Sequence, residues 1–149
     1  MKELDRNLKI TEANPEMLDE VVKLVESAKL ETTYLPYANP LLVAINNQNK
    51  VMGCVSLERR GDYVHLQSLT VKKGMRKKGI GSLLVENAFR YLKPGDTMIA
   101  LTLFWNNGFY EKLGFEKLNA PEVKHRDDVG LRKKHLHCTA LGRKKEPAT

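Results

Sequence analysis

The chain has 149 residues, of which 42% are hydrophobic and 29% charged, and its formal net charge is +7. This length predicts one domain, residues 1–149, and the composition is ordinary for a water-soluble globular protein. The sequence contains neither an apolar run long enough to span a membrane nor a signal-peptide core, so we expect a cytoplasmic location. The two cysteines, Cys54 and Cys138, are far apart in sequence and fit a reducing compartment better than a disulfide framework.

The first half of the sequence predicts one strand, one helix and three further strands. Residues 8–11 are typical of a short strand. Asn14 is a suitable helix cap and Pro15 a suitable first helical residue, and the helix that follows has a broad apolar face. Residues 40–71 then predict three strands joined by two polar turns. Cys54 lies in the second of these strands, where we expect a buried, small apolar side chain.

A basic, glycine-containing turn, RKKGIG at residues 76–81, leads from the third of these strands into a second helix. Gly79 and Gly81 lack a Cβ atom, so the backbone can adopt positive φ or approach a ligand closely. The start of the helix directs N–H groups and the positive end of its dipole at the turn. Combined with three cationic side chains, this pattern predicts a phosphate site, although neither the P-loop nor the dinucleotide glycine pattern is present.

The second half of the sequence predicts alternating short elements. Residues 97–104 indicate a strand, residues 107–114 a short helix, and Phe115 the start of another strand. Residues 136–143 have the apolar and β-branched character of a closing strand. The basic residues after position 142 predict a C-terminal tail, about residues 142–149, for which a solvated surface is the common interpretation.

Three segments in register resemble the GNAT superfamily of acetyl-CoA-dependent N-acetyltransferases. The turn RKKGIG is similar to the R/Q-x-x-G-x-G/A segment of that family, which holds the pyrophosphate of acetyl-CoA. Residues 50–71 resemble the central hairpin of the family, and NGFYEKLGF at residues 107–115 resembles its second signature. The resemblance implies an α/β, GNAT-like fold, with a central mixed, mainly antiparallel, twisted sheet of about six to seven strands flanked by helices.

The same resemblance implies acetyl-CoA as the co-substrate. In this fold the strand that ends at Val71 is expected to splay from its neighbour, so that its backbone groups bind the cofactor. Asn106 and Asn107 lie where the family often has an asparagine that bonds the pantetheine arm, and we retain both. The implied cofactor-binding residues are Leu69, Thr70, Val71, Arg76, Lys77, Lys78, Gly79, Ile80, Gly81, Ser82, Asn106 and Asn107.

Acetyl transfer needs an acid for the departing thiolate and a base for the attacking amine. The resemblance implies that Tyr110 is the acid, since a phenol holds its proton at neutral pH. The alternative is a structural, half-buried helix tyrosine. For the base, related enzymes place Glu six residues before the valine that ends the strand, and this position is His65 here. We expect His65 to be half open to the cleft, with an ordinary strand histidine, Glu58 or a water chain as alternatives.

We therefore predict an acyltransferase that moves an acetyl group from acetyl-CoA to a primary amine in a ternary complex. GCVSL, LQSLTV and LTLFWNNGFYEKLGF are also similar to amino-acid (glutamate-type) N-acetyltransferases, which favours a small acceptor such as an amino acid. One alternative is an acetyltransferase of a protein or peptide amine, or of an RNA-associated partner, docked through the basic C-terminal segment. Another is a non-catalytic acyl-CoA sensor.

Other partners are expected to be absent or are left open. We expect no membrane and no nucleic-acid partner, and a homodimer is left open. The residues His125, His135, His137 and Cys138 fit no standard ligand spacing, so no metal site is expected.

Overall fold

The computed structural model describes residues 7–118 and 138–147. In this part of the chain, no helix combines the length and the apolar character needed to cross a membrane. The α-helices are α1 (Leu18–Ser27), α2 (Ile80–Phe89) and α3 (Asn107–Lys112). The strands are β1 (Lys9–Glu12), β2 (Leu41–Ile45), β3 (Val51–Arg60), β4 (Tyr63–Val71), β5 (Thr97–Leu103), β6 (Glu116–Lys117) and β7 (Cys138–Lys144). Short 3-10 helices lie at Pro15–Met17, Leu35–Tyr37 and Phe104–Asn106.

The strands form a seven-stranded sheet in the order β1-β2-β3-β4-β5-β7-β6. Antiparallel pairing joins β1 to β2, β2 to β3, β5 to β7 and β6 to β7. The predicted α/β class, with a sheet of six to seven strands flanked by helices, is therefore confirmed. The strand nearest the C-terminus, β7, does not lie at an edge, because it pairs with β5 on one side and with β6 on the other.

The chain divides into two compact units. The first unit comprises the described residues 7–58 and 66–91. Its first helix begins as the sequence predicts, since Asn14 Oδ1 accepts the Met17 N–H at 3.1 Å and Pro15 occupies the first helical position. The opening turn is a 3-10 helix, however, and α1 proper begins at Leu18.

The core of the first unit is apolar and fully enclosed. The side chains of Val21, Val25, Val43 and Cys54 have no solvent exposure, and Leu35 is 1% exposed. In α2 the buried side chains are Ile80, Leu84, Val85 and Ala88. Burial of these groups supplies the main free energy that holds α1 and α2 in place within this unit.

The second unit comprises the described residues 59–65, 92–118 and 138–147. Its framework is the antiparallel ladder of β5 and β7, which runs from Thr97 opposite Lys144 to Leu103 opposite Cys138. Met98, Ile99, Ala100 and Leu141 form its core, each with at most 1% exposure. At the surface, Arg59 and Asp96 form a bidentate ion pair that closes the turn before β5.

The segment predicted as a basic tail, about residues 142–149, begins inside β7. Beyond the strand, the Lys145 backbone N–H donates to Asp96 O at 2.7 Å and its Nζ donates to Leu92 O at 2.7 Å. Gly95 N–H in turn donates to Lys145 O at 2.8 Å. The basic residues up to Lys145 are thus part of the folded second unit.

Candidate active site

The connection between β4 and α2 bends through left-handed backbone positions. Lys77 has φ = 65° and Gly79 has φ = 82°. Gly79 is the N-cap of α2, and it supplies the left-handed conformation that most side chains resist. Among the described residues no side chain caps this helix, and its first turn contains no acidic residue. The N-terminal N–H groups of α2 therefore retain the positive potential that attracts an anion.

Three cations accompany these N–H groups. Arg76, Lys77 and Lys78 are all exposed, and they immediately precede the glycine cap. Arg76 Nε also donates to Val71 O at 3.2 Å, which ties the turn to the end of β4. The predicted residues of the turn thus lie together, with Ile80 buried beneath them and Gly81 and Ser82 half-buried in the first turn of α2. This arrangement is suited to binding a pyrophosphate.

The end of β4 alternates between buried and half-buried positions. Thr70 is buried, whereas Leu69 and Val71 are half-buried. Sequence reasoning missed the residue before them, Ser68, which has φ = 58° inside a strand. A glycine at this position would have signalled the distortion, but a serine in the left-handed region gives no such signal.

The second unit carries the predicted acid, Tyr110, in α3. Its side chain is only 6% exposed. The ring makes edge-to-face contacts with Phe109 and Phe115, at centroid distances of 5.0 and 5.4 Å. Burial raises the pKa of Tyr110 above its ordinary value. The Tyr110 phenol therefore keeps its proton at neutral pH.

The two asparagines before Tyr110 differ in environment. Asn107 is buried at 8% exposure, and its Oδ1 accepts the Thr139 hydroxyl at 2.5 Å. Asn106 is exposed, and its Nδ2 donates to Thr102 Oγ1 at 3.2 Å. Sequence reasoning missed Thr139, because it lies in β7 and 32 residues separate it from Asn107. Of the two amides, that of Asn106 is the one accessible to a ligand.

The candidate bases also differ in exposure. His65 is buried at 6% exposure, so the expectation of a half-open position was wrong. Tyr63, Val64 and Leu66 of the same strand are buried as well, at 4 to 5% exposure. Glu58 in β3 and Gln67 in β4 are half-buried. Any proton taken up by His65 must therefore travel through a small opening or through water.

Metal ligands and a surface cavity are the remaining features of the described residues. Among the described residues no cluster of three or more His, Cys, Asp or Glu side chains is placed to hold a metal ion. His125, His135 and His137 lie outside those residues. The first unit has a surface cavity of ≈ 410 Å³, but it contains none of the predicted site residues. Its lining includes Lys9, Thr11, Glu12, Asn14, Met17 and Glu20.

Comparison with known proteins agrees with this geometry. The sequence profile of the acetyltransferase (GNAT) domain matches residues 38–117, which is more than half of the chain. The peptidyl-lysine N-acetyltransferase YjaB of Salmonella typhimurium is 35% identical over 111 residues, covering 70% of this chain and 67% of the relative. The Escherichia coli protein of the same name is 31% identical over 105 residues, covering 70% and 66% respectively. The chain thus spans about two thirds of the length of both relatives.

Solved structures show the same fold. N-acetylglutamate synthase from Neisseria gonorrhoeae, complexed with coenzyme A and N-acetyl-glutamate, matches with a TM-score of 0.77 at 14% identity. The match covers 93% of this chain and 35% of that protein. The fold, the profile match and the identity to the two relatives lead to one conclusion. The chain belongs to the GNAT family of N-acetyltransferases, whose acetyl donor is acetyl-CoA.

Proposed function

We propose that the chain transfers an acetyl group from acetyl-CoA to a primary amine by direct attack in a ternary complex. The turn between β4 and α2 carries this proposal. It combines an uncapped helix start, a left-handed glycine cap and three exposed cations, Arg76, Lys77 and Lys78. Backbone N–H groups and cations at a helix N-terminus bind phosphate oxygens without a metal ligand set. The pyrophosphate of acetyl-CoA has the charge and size for this turn.

We propose that the pantetheine arm is bound by backbone groups at the end of β4 and by one side-chain amide, that of Asn106. Leu69, Thr70 and Val71 offer main-chain donors and acceptors at the end of β4, which an extended amide chain can pair with. Asn106 is the second contact, because its amide is exposed while that of Asn107 is buried against Thr139. Asn107 is then assigned a structural role in the second unit.

The transfer itself has three requirements. The neutral amine attacks the thioester carbonyl, the C–S bond breaks, and the amine loses a proton. Backbone N–H groups stabilise the negative charge on the carbonyl oxygen while the bond forms. Tyr110 is proposed to protonate the departing thiolate, and burial favours the protonated phenol that this role needs. His65 is proposed as the base, with Glu58 and water as the alternatives.

For the acceptor, we infer a small primary amine such as an amino acid. The similarity of GCVSL, LQSLTV and LTLFWNNGFYEKLGF to amino-acid acetyltransferases supports this assignment. A second candidate is the side-chain amine of a peptide lysine. It is supported by the names of the relatives that are 35% and 31% identical to this chain. Both acceptors present a primary amine, which attacks in its neutral form and loses a proton once the C–N bond forms.

Docking of a macromolecule through the basic C-terminal segment is not favoured. Residues up to Lys144 pair in β7, and the Lys145 ammonium donates to Leu92 O within the second unit. These contacts use part of the segment that a docking role would need. We therefore propose that these cations contribute to the folded second unit and do not form a docking surface.

The test is a product assay on the purified chain. Acetyl-CoA is incubated with a set of free amino acids and with a lysine peptide that is blocked at its N-terminus. CoA thiol release gives the rate, and mass spectrometry identifies the acetylated product. We expect release above the acceptor-free background with at least one acceptor. A product on the amino acids supports the first acceptor, and a product on the peptide alone supports the second.

Two outcomes would contradict the proposal. Tight acetyl-CoA binding without acetylation of any amine would favour an acyl-CoA sensor. Absence of acetyl-CoA binding, measured by calorimetry on the folded protein, would remove the pyrophosphate assignment itself.

A further inference from the structure

Strand β4 is distorted at Ser68. This serine has φ = 58°, in the left-handed region that side chains with a Cβ atom rarely occupy within a strand. It is 9% exposed, and its hydroxyl has no hydrogen-bond partner among the described residues. A buried hydroxyl without a hydrogen-bond partner also lowers the stability of the folded state. Because the left-handed backbone and the unpaired hydroxyl both destabilise the fold, contacts of the neighbouring residues must hold the strand in this conformation.

Cys54 of β3 makes one of these contacts. Its Sγ donates to Ser68 O at 3.4 Å. The thiol is fully buried, and burial raises the pKa of Cys54 to about 12. The group is therefore a protonated thiol at neutral pH and can donate this hydrogen bond. The sulfur atom thus binds the backbone of β4 at the carbonyl that precedes Leu69.

Thr70 supplies a second donor to the same carbonyl. Its Oγ1 donates to Ser68 O at 3.1 Å, and the side chain is buried at 5% exposure. With two donors on one oxygen, the peptide plane between Ser68 and Leu69 has a fixed orientation. Because C=O and N–H of one trans peptide point in opposite directions, this orientation also fixes the direction of the Leu69 N–H.

We propose that Cys54 is a positioning residue for acetyl-CoA. Its thiol holds the Ser68–Leu69 peptide and thereby directs the backbone groups of residues 69–71. The inference rests on the proposed function, in which those groups bind the pantetheine arm. Because Cys54 is fully buried and bonded to β4, it acts through the backbone of that strand.

The experiment compares Cys54→Ala with Val55→Ala. Val55 is the next residue of β3 and is also fully buried, so its truncation tests loss of packing alone. Acetyl-CoA affinity is measured by calorimetry, and KM and kcat are measured separately. We expect Cys54→Ala to weaken acetyl-CoA affinity about fivefold to twentyfold and to raise KM accordingly, the size typical of a lost hydrogen bond. Val55→Ala should lower Tm while its affinity stays within about twofold of wild type.

Two further variants complete the design. Cys54→Ser retains a donor, so it should restore most of the affinity that Cys54→Ala loses. Thr70→Val keeps the shape of the side chain but removes one donor to Ser68 O. It should weaken affinity about twofold to fivefold, and it decides the question if Cys54→Ala does not fold.

The outcomes separate this inference from the proposed function. Unchanged affinity and KM in both Cys54→Ala and Thr70→Val, with wild-type binding intact, would overturn the positioning role alone. An equal loss of affinity in Cys54→Ala and Val55→Ala would also overturn it. If the wild-type protein does not bind acetyl-CoA, the proposed function fails and this inference fails with it.

Discussion

Two strand-to-helix connections carry most of the candidate site, and they are built in opposite ways. In the first unit, residues 72–79 lead from β4 into α2, and Arg76, Lys77 and Lys78 are exposed there. In the second unit, the 3-10 helix Phe104–Asn106 leads from β5 into α3. Its two asparagine side chains are bonded within the second unit, since Asn106 donates to nearby Thr102 and Asn107 accepts from Thr139 of β7.

The difference separates a ligand-binding connection from an internally bonded one. The first has backbone N–H groups that no described side chain caps, so its local chemistry favours an external anion. The second leads into a helix that buries Asn107 and Tyr110, and it exposes Phe104, Trp105 and Asn106. Substitutions in the first connection should therefore change binding, whereas those in the second should change turnover or stability, with exposed Asn106 as the one position expected to affect the KM for acetyl-CoA.

The largest expected effect is that of Gly81→Glu in the first connection. The added side chain and its negative charge oppose close approach of the pyrophosphate, so acetyl-CoA affinity should fall by at least about a thousandfold. Calorimetry on the folded variant measures the loss. Gln48→Glu, in an exposed turn of the same unit, adds the same charge and should bind normally. Normal affinity in Gly81→Glu would remove the phosphate assignment and with it the contrast between the two connections.

Tyr110→Phe tests the second connection. The variant keeps the ring contacts with Phe109 and Phe115 but lacks the proton, so kcat should fall about tenfold to a thousandfold with acetyl-CoA affinity nearly unchanged. Because burial raises the pKa of Tyr110, the wild-type phenol stays protonated, and no loss of kcat from its ionisation is expected between pH 7 and about 10. Wild-type turnover in the variant would give Tyr110 a structural role only.

The adjacent asparagines sharpen the comparison within the second connection. Asn107→Ala removes the buried amide that accepts the Thr139 hydroxyl and leaves that hydroxyl a longer contact with Thr102 O at 3.5 Å, so the free energy of unfolding should fall by about 1–3 kcal/mol. Asn106→Ala, at an exposed position, should change it by less than about 0.5 kcal/mol but should raise KM for acetyl-CoA. Urea denaturation and steady-state kinetics measure the two effects. An unaltered KM in Asn106→Ala would exclude its amide from the cofactor site.

His65→Gln is expected to lower kcat/KM about tenfold. A base must be deprotonated to act, so wild-type kcat/KM should rise with pH through the ionisation of the imidazole. The variant should lose that rise, and His65→Glu should restore part of the rate, because the family resemblance places glutamate at this position. If the pH profile of His65→Gln matches that of wild type, the base is Glu58 or water, and buried His65 is a strand residue.

Much of the first connection could be predicted from the sequence, because its chemistry is local. The run RKKGIG contains the cations, the left-handed cap and the helix start within six neighbouring residues. Asn14 and Pro15 likewise predicted the start of the first helical segment from adjacent positions. These features depend on backbone conformation and charge, which short sequence patterns specify well.

The remaining features depend on partners that are distant in sequence. The conformation of Ser68 is held by Cys54, 14 residues earlier, and no glycine marks it. The hydrogen bond of Asn107 depends on Thr139, and His65 is buried at 6% exposure within a strand whose covering residues lie elsewhere in the sequence. Periodicity placed His65 in a strand but could not give its exposure, because a strand in the middle of a sheet can be covered on both faces.

The placement of β7 between β5 and β6 has a consequence for synthesis on the ribosome. β5 and β6 are complete once residue 117 has been made, yet they pair with each other only through residues 138–144. Until those residues leave the exit tunnel, β5 has an unpaired edge and the Asn107 acceptor lacks Thr139. The second unit therefore closes after translation of position 144, and nascent chains that stall earlier should engage chaperones through the exposed edge of β5.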